Sequence, residues 1–197
     1  LLAQRLFWPA WGGTLALLVA VLVGGTGIAP LLTFFLGGFA SGAALRQLVL
    51  ATRRQGWRGL VGRANGGMVV HIGVILVAVA LAASNSHTRS QELDLKTGDA
   101  VEWAGHTFEL TGFRRTVDDR QTRIAAVVMV DGTERAPAIT KFVKMGQNIG
   151  TPSVLTSLTK DLYLTLESPV RMDSGRARVK VFVKPMIVWI WIGGALM

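Results

Sequence analysis

The stretch NGGMVVHIGVILVAVALAA, residues 65–83, decides the fold. Its 19 residues contain no Asp, Glu, Lys or Arg and one ionisable side chain, His71. At 1.5 Å per residue, a helix of that length covers about 28 Å, close to the roughly 30 Å hydrocarbon core of a bilayer. A buried helix in a water-soluble protein would show a polar face, and this stretch has none. Two apolar runs precede it, from about Leu6 to Val23 and from about Pro30 to Leu50, separated by Gly24-Gly25-Thr26-Gly27. Pro30 suits the first turn of a helix, where its missing N–H is no loss. The sequence therefore predicts three transmembrane helices, at about 6–23, 30–50 and 65–83, within a membrane region 1–84. A fourth apolar run follows Pro185. From Met186 to Met197 it would reach only about 18 Å as a helix. Residues 185–197 are therefore expected to be the truncated start of a fourth transmembrane helix. With Leu1 also beside an apolar run, the chain is expected to be cut from a longer membrane protein at both ends.

Composition points the same way. Half of the 197 residues are hydrophobic, 17% are charged, and the mean hydropathy is +0.43. That profile argues against both an ordinary soluble protein and a disordered one. There are no cysteines. This excludes disulfides, thiolate metal sites and a cysteine nucleophile, and the chain cannot itself carry covalently attached c-type haem. The net charge of +9 is unevenly spread. Residues 1–84 hold six arginines and no acid, whereas all twelve Asp and Glu lie between Glu92 and Asp173. Excess positive charge beside apolar runs sets membrane orientation, and no basic face carries the interleaved aromatics of a nucleic-acid binder. Arg53, Arg54, Arg58 and Arg63 place the loop 51–64 in the cytoplasm by the positive-inside rule. Alternation then puts residues 85–184 outside, with Trp189 and Trp191 in an outer aromatic belt.

Residues 85–184 read as a small extracytoplasmic antiparallel β domain, a sandwich or barrel of five or six strands. Thr107-Phe108-Glu109-Leu110 alternates, as do Leu162, Leu164 and Leu166 with their neighbours, and Val179, Val181 and Val183 share a face. Ile124–Val130 ends in Asp131-Gly132, a hairpin signal. Gly146–Pro152 reads as a loop. In the second apolar run, Gly38-Phe39-Ala40-Ser41-Gly42 is a GxxxG that lets helices approach closely in lipid, without specifying a partner.

His71 is the candidate site residue. An ionisable group within a span is costly and is a functional candidate by default. Imidazole is a good axial ligand for haem iron. Gly66, Gly67 and Gly73 leave little bulk nearby, which suits a flat macrocycle or a close helix. The competing reading is a histidine hydrogen-bonded to a neighbouring helix. Met68 reads as packing. His87 and His106 read as exposed, solvated histidines, since neither has a second ligand at metal spacing. Arg114, Arg115, Arg120 and Arg123 read as a solvated face balanced by Asp118 and Asp119. No GxSxG and no Walker loop is present.

Gly62-Arg63-Ala64-Asn65-Gly66-Gly67-Met68-Val69-Val70-His71-Ile72-Gly73 resembles the helix that precedes the last periplasmic domain of CcmF-type cytochrome c haem lyases. A second match lies at Asp161-Leu162-Tyr163-Leu164 and at Lys184-Pro185-Met186-Ile187-Val188-Trp189-Ile190-Trp191-Ile192-Gly193-Gly194. There the family shows a strand pair followed by a Pro and a Trp-rich return to the membrane. The resemblance implies the C-terminal part of a bacterial inner-membrane enzyme of cytochrome c maturation. Such an enzyme attaches haem to the CxxCH cysteines of apocytochrome c. The haem arrives on the chaperone CcmE, and CcmH and CcmI handle the apocytochrome. The resemblance also implies that His71 is an axial ligand of a transmembrane haem b, that residues 85–184 are periplasmic, and that the chain alone is inactive. The alternative is a structural membrane module whose β domain docks a partner protein, with no haem in this part.

Overall fold

A computed structural model describes residues 2–58, 63–144, 146–167, 170 and 172–197. Gly62 of the resemblance motif, Leu1, and residues 59–62 of the predicted cytoplasmic loop lie outside the described residues. The chain forms two compact units, Leu1–His87 with Pro185–Met197, and Thr88–Lys184.

In the first unit the apolar runs become helices α1 (Leu2–Leu22), α2 (Ile28–Gln55) and α3 (Arg63–His87), with a shorter α4 (Ile187–Leu196). The first three are long and apolar enough to cross a membrane. Except at the C-terminal end of α1, which stops one residue short of the expected Val23, they extend beyond the ends that hydropathy predicts. Apolar sequence marks the part compatible with lipid, whereas backbone hydrogen bonding continues through interfacial polar residues. Arg53 and Arg54 accordingly lie in the last turn of α2, where cations suit the carbonyl end of the helix dipole. Gly56 closes that helix at φ +59°, its N–H donating to the Thr52 carbonyl.

Glycines decide how these helices pack. A Cβ at Gly38 of α2 would come within 3.0 Å of the Gly12 carbonyl and the Ala16 Cβ of α1. One at Gly42 would meet the Trp8 backbone equally closely. The GxxxG that left its partner open is thus the α1 contact surface of α2. Gly37 serves α3, with Val79 and Ile75 across from it. On another side of α3, Gly73 faces the Gly193 carbonyl and Leu196 of α4, while Gly193 faces Leu76 and Val77. Rising numbers on α3 meet falling numbers on α4, so the two helices are antiparallel.

Among its described residues the second unit has ten strands rather than five or six: β1 (Arg89–Lys96), β2 (Ala100–Trp103), β3 (His106–Val117), β4 (Gln121–Val130), β5 (Thr133–Arg135), β6 (Ala138–Phe142), β7 (Asn148–Thr151), β8 (Ser153–Thr156), β9 (Lys160–Leu166) and β10 (Arg176–Pro185). The extra ones are mostly three or four residues long, too short to show a period of two. β7 lies inside the predicted loop Gly146–Pro152. One sheet runs β1-β10-β9-β8, and the other runs β2-β3-β4-β6-β7 with β5 on β4. A single core contains residues of both sheets: Leu93 and Leu95, Phe108 and Leu110, Val128 and Val130, Leu162 and Leu164, Val179 and Val181. Burying each such side chain contributes about 1.5–3 kcal/mol. The β4–β5 turn places Asp131 at φ +49° and Gly132 at φ +79°, the paired positive angles that an Asp-Gly hairpin turn provides.

A core of this kind in a unit of about 100 residues supports independent folding. Residues 88–184 expressed alone are expected to give a β-type spectrum and one cooperative urea transition. The Asp131 carboxyl is held below the usual carboxylate range, first by the His106 hydrogen bond and then by the Thr107 N–H. A depressed carboxyl pKa stabilises the fold above the ordinary Asp range, and that stability is lost as pH falls through the folded value. Asp131→Asn should therefore lower the urea midpoint at neutral pH, and the gap to wild type should narrow under acid. A gap independent of pH would contradict the assignment.

Candidate functional site

His71 lies eight residues past Arg63, about 12 Å along α3. Its Nδ1–H donates to the Gly67 carbonyl one turn earlier, at 2.6 Å. A carbonyl accepts only, so the proton is on Nδ1 and Nε2 keeps its lone pair. Such a backbone bond orients a ligating imidazole and raises the basicity of its other nitrogen. Gly67, Val74 and Ala78 share the histidine's face by helical spacing, and all three are exposed with it. A Cβ at Gly66 or Gly67 would meet nothing within 4 Å. The residues therefore fit an axial bond to haem iron: a nitrogen donor on an uncovered apolar face with open space beside it. Among the described residues no group of three or more His, Cys, Asp or Glu could hold a metal ion. A haem, whose ring supplies the equatorial nitrogens, takes only axial ligands from the protein.

Gly73 is two residues on, about 200° around the helix. Of its two readings, macrocycle or close helix, the structure fills the second, with α4 against it. Met68 is half-buried. His87 is the last residue of α3 rather than part of the β domain, and its Nδ1 lies 3.3 Å from the Ala83 carbonyl. Trp189 is half-buried, whereas Trp191 is 75% exposed.

His106 is not the exposed, solvated histidine expected. Its side chain is 14% exposed, its Nδ1–H donates to Asp131 Oδ2, and its Nε2 is buried without a partner among the described residues. The Thr107 N–H fixes the other Asp131 oxygen at 2.9 Å. The hairpin signal at Asp131-Gly132 was visible, but its juxtaposition with His106, 25 residues away, arises from the β3–β4 pairing. The arginine face is also balanced differently. Arg114 pairs with Glu134 at 3.2 Å. Asp118 instead accepts the backbone N–H groups of Arg120 and Gln121, which lowers its pKa and shapes the β3–β4 turn. Sequence reasoning also missed Gly12 and Gly193. The small-residue spacing of Gly12 and Ala16 was the available signal for the first.

No family model matches the chain. It is 28% identical over 178 residues to the cytochrome c-type biogenesis protein CcmF of Pseudomonas aeruginosa, a match covering 86% of this chain and 27% of that protein. With CcmF of Pseudomonas fluorescens it shares 29% identity over 191 residues, covering 92% of this chain and 29% of that protein. With the cytochrome c-type biogenesis protein CycK of Bradyrhizobium diazoefficiens it is 28% identical, covering 94% of this chain and 30% of the relative. The chain thus spans under a third of the length of these curated relatives. A solved structure of the cytochrome c haem lyase CcmF superposes on the whole chain, with a TM-score of 0.76 and 21% identity, covering 33% of that protein. In sequence over most of its length, and in fold over all of it, the chain is similar to CcmF proteins.

Proposed function

We propose that the chain is part of a membrane haem lyase of cytochrome c maturation, in which His71 is an axial ligand of a transmembrane haem b. The observation that carries the ligand role is the His71 ring itself. It is exposed on an apolar face, with Nδ1–H spent on the Gly67 carbonyl and Nε2 without a partner among the described residues. Haem b at such a ligand would supply one-electron redox capacity. What the chain does there is hold and orient the nitrogen and keep water away with Val70, Val74 and Ala78. The similarity to CcmF proteins supports the wider role. The whole lyase would covalently attach haem to the CxxCH cysteines of apocytochrome c, receiving haem from CcmE and working with CcmH and CcmI. The test is the absorption spectrum of the intact protein, in which a Soret band with b-type reduced features is expected and its absence would refute the ligand role.

The same proposal places the protein in the bacterial inner membrane, with 51–64 cytoplasmic and 85–184 periplasmic. The arginine excess around α2 and α3 supports that orientation. A cysteine at Gln55 should be labelled by a membrane-impermeant maleimide only after the cytoplasmic face is opened. One at Thr133 should be labelled in intact spheroplasts. Thr133 is preferred to Gly132, whose positive φ disfavours any side chain. The reversed labelling pattern would overturn the orientation.

A further inference from the structure

The outer face of β9 and β10 carries a cation among aromatic rings. Tyr163 and Phe182 meet edge to face at 5.9 Å between centroids. The Lys184 Nζ stands 5.1 Å from the Tyr163 ring and 5.7 Å from that of Phe182. Lys180 also approaches Phe182, but its ammonium is engaged by Glu92 at 3.4 Å. Lys184 forms no ion pair among the described residues. The rings fix the stem of this lysine and hold its charge in place without neutralising it.

Covalent reach ties this charge to an apolar helix. Lys184 precedes the start of α4 by three residues, which can span at most about 11 Å. From Ile187 to Leu196 that helix holds no charged residue.

We infer that Tyr163, Phe182 and Lys184 form a seat for the phosphate of an anionic lipid headgroup. Lys184 supplies the charge, and the two rings hold it in place close to where the chain enters α4. Charge complementarity and the short tether to the apolar helix α4 favour an anionic lipid over a soluble partner.

Tyr163 is the only tyrosine in the chain, so 3-fluorotyrosine gives a single fluorine resonance inside the seat. The full chain in detergent is titrated with phosphatidylglycerol, with phosphatidylcholine, with soluble glycerol phosphate and with an acidic peptide, hexaglutamate. A saturable shift with phosphatidylglycerol alone is expected. Lys184→Gln should weaken half-saturation about fivefold, the effect of one interfacial lysine. Lys184→Arg should retain the response, which separates charge from folding, and Lys144→Gln should leave it unchanged. Equal shifts with phosphatidylcholine, a response to hexaglutamate or glycerol phosphate in place of the lipid, or an undiminished response in a folded Lys184→Gln protein would each overturn the proposal.

Discussion

Replacing His71 by alanine in the intact protein is expected to lower haem b occupancy at least about tenfold, since even the outer partners of ligating histidines are worth that much. Membrane insertion should persist. Alanine is less costly in lipid than histidine, and among the described residues the ring's one hydrogen bond goes to its own helix. His71→Gly should lose haem in the same way, and added imidazole should restore the spectrum by refilling the vacated space. His87→Ala and His106→Ala should leave the spectrum unchanged. The first ends α3 and the second lies in the β domain, bound to Asp131. A haem spectrum unaltered in His71→Ala would reject the ligand assignment and favour the structural module.

The second large effect concerns packing. Gly38→Ile should separate α1 from α2, because even its Cβ would fall within 3.0 Å of the Gly12 carbonyl and the Ala16 methyl group. Backbone cannot move aside as a flexible side chain can, so the overpacking should destabilise the bundle by about 1–3 kcal/mol or more. Thermal unfolding of the detergent-solubilised protein reads this directly. Gly66→Ala is the control, since its Cβ meets nothing within 4 Å and alanine favours helix over glycine. Similar melting temperatures for the two variants would mean that the Gly12–Gly38 contact does not hold the helices together.

Features with a local cause could be read from the sequence. Asn65–Ala83 announces a span by apolar length alone. Phe108 with Leu110, the three leucines of β9, and Val179 with Val181 announce core strands by alternation, and all of them are buried. Asp131-Gly132 announces its own turn. What escaped depends on partners distant in sequence. β7 contains Gly150 and no buried residue, and it becomes a strand only because β6 offers it a backbone ladder. His106 looks like any polar residue at a strand start until the β3–β4 register brings Asp131 alongside. For the candidate site, the place of His71 along an apolar helix was legible. The face it occupies was not, because α3 is apolar all round and no polar stripe tells which side meets another helix. The glycines settle that question in space, with Gly73 against α4 and His71 on the far side.

The β1–β10 pairing has a consequence for the architecture. β1 begins two residues after α3 ends, β10 finishes two residues before α4 begins, and Arg89 is paired with Val183 across the ladder. Paired Cα atoms in such a ladder are about 4.5–5.5 Å apart. The whole β domain therefore leaves and returns through a gap that a two-residue turn would bridge. It is a cassette inserted into an antiparallel helical hairpin. Gly73 and Gly193 set the approach of α3 and α4 further along the hairpin, so a change in a loop of the insert leaves the contact surface of the helix that carries His71 as it is.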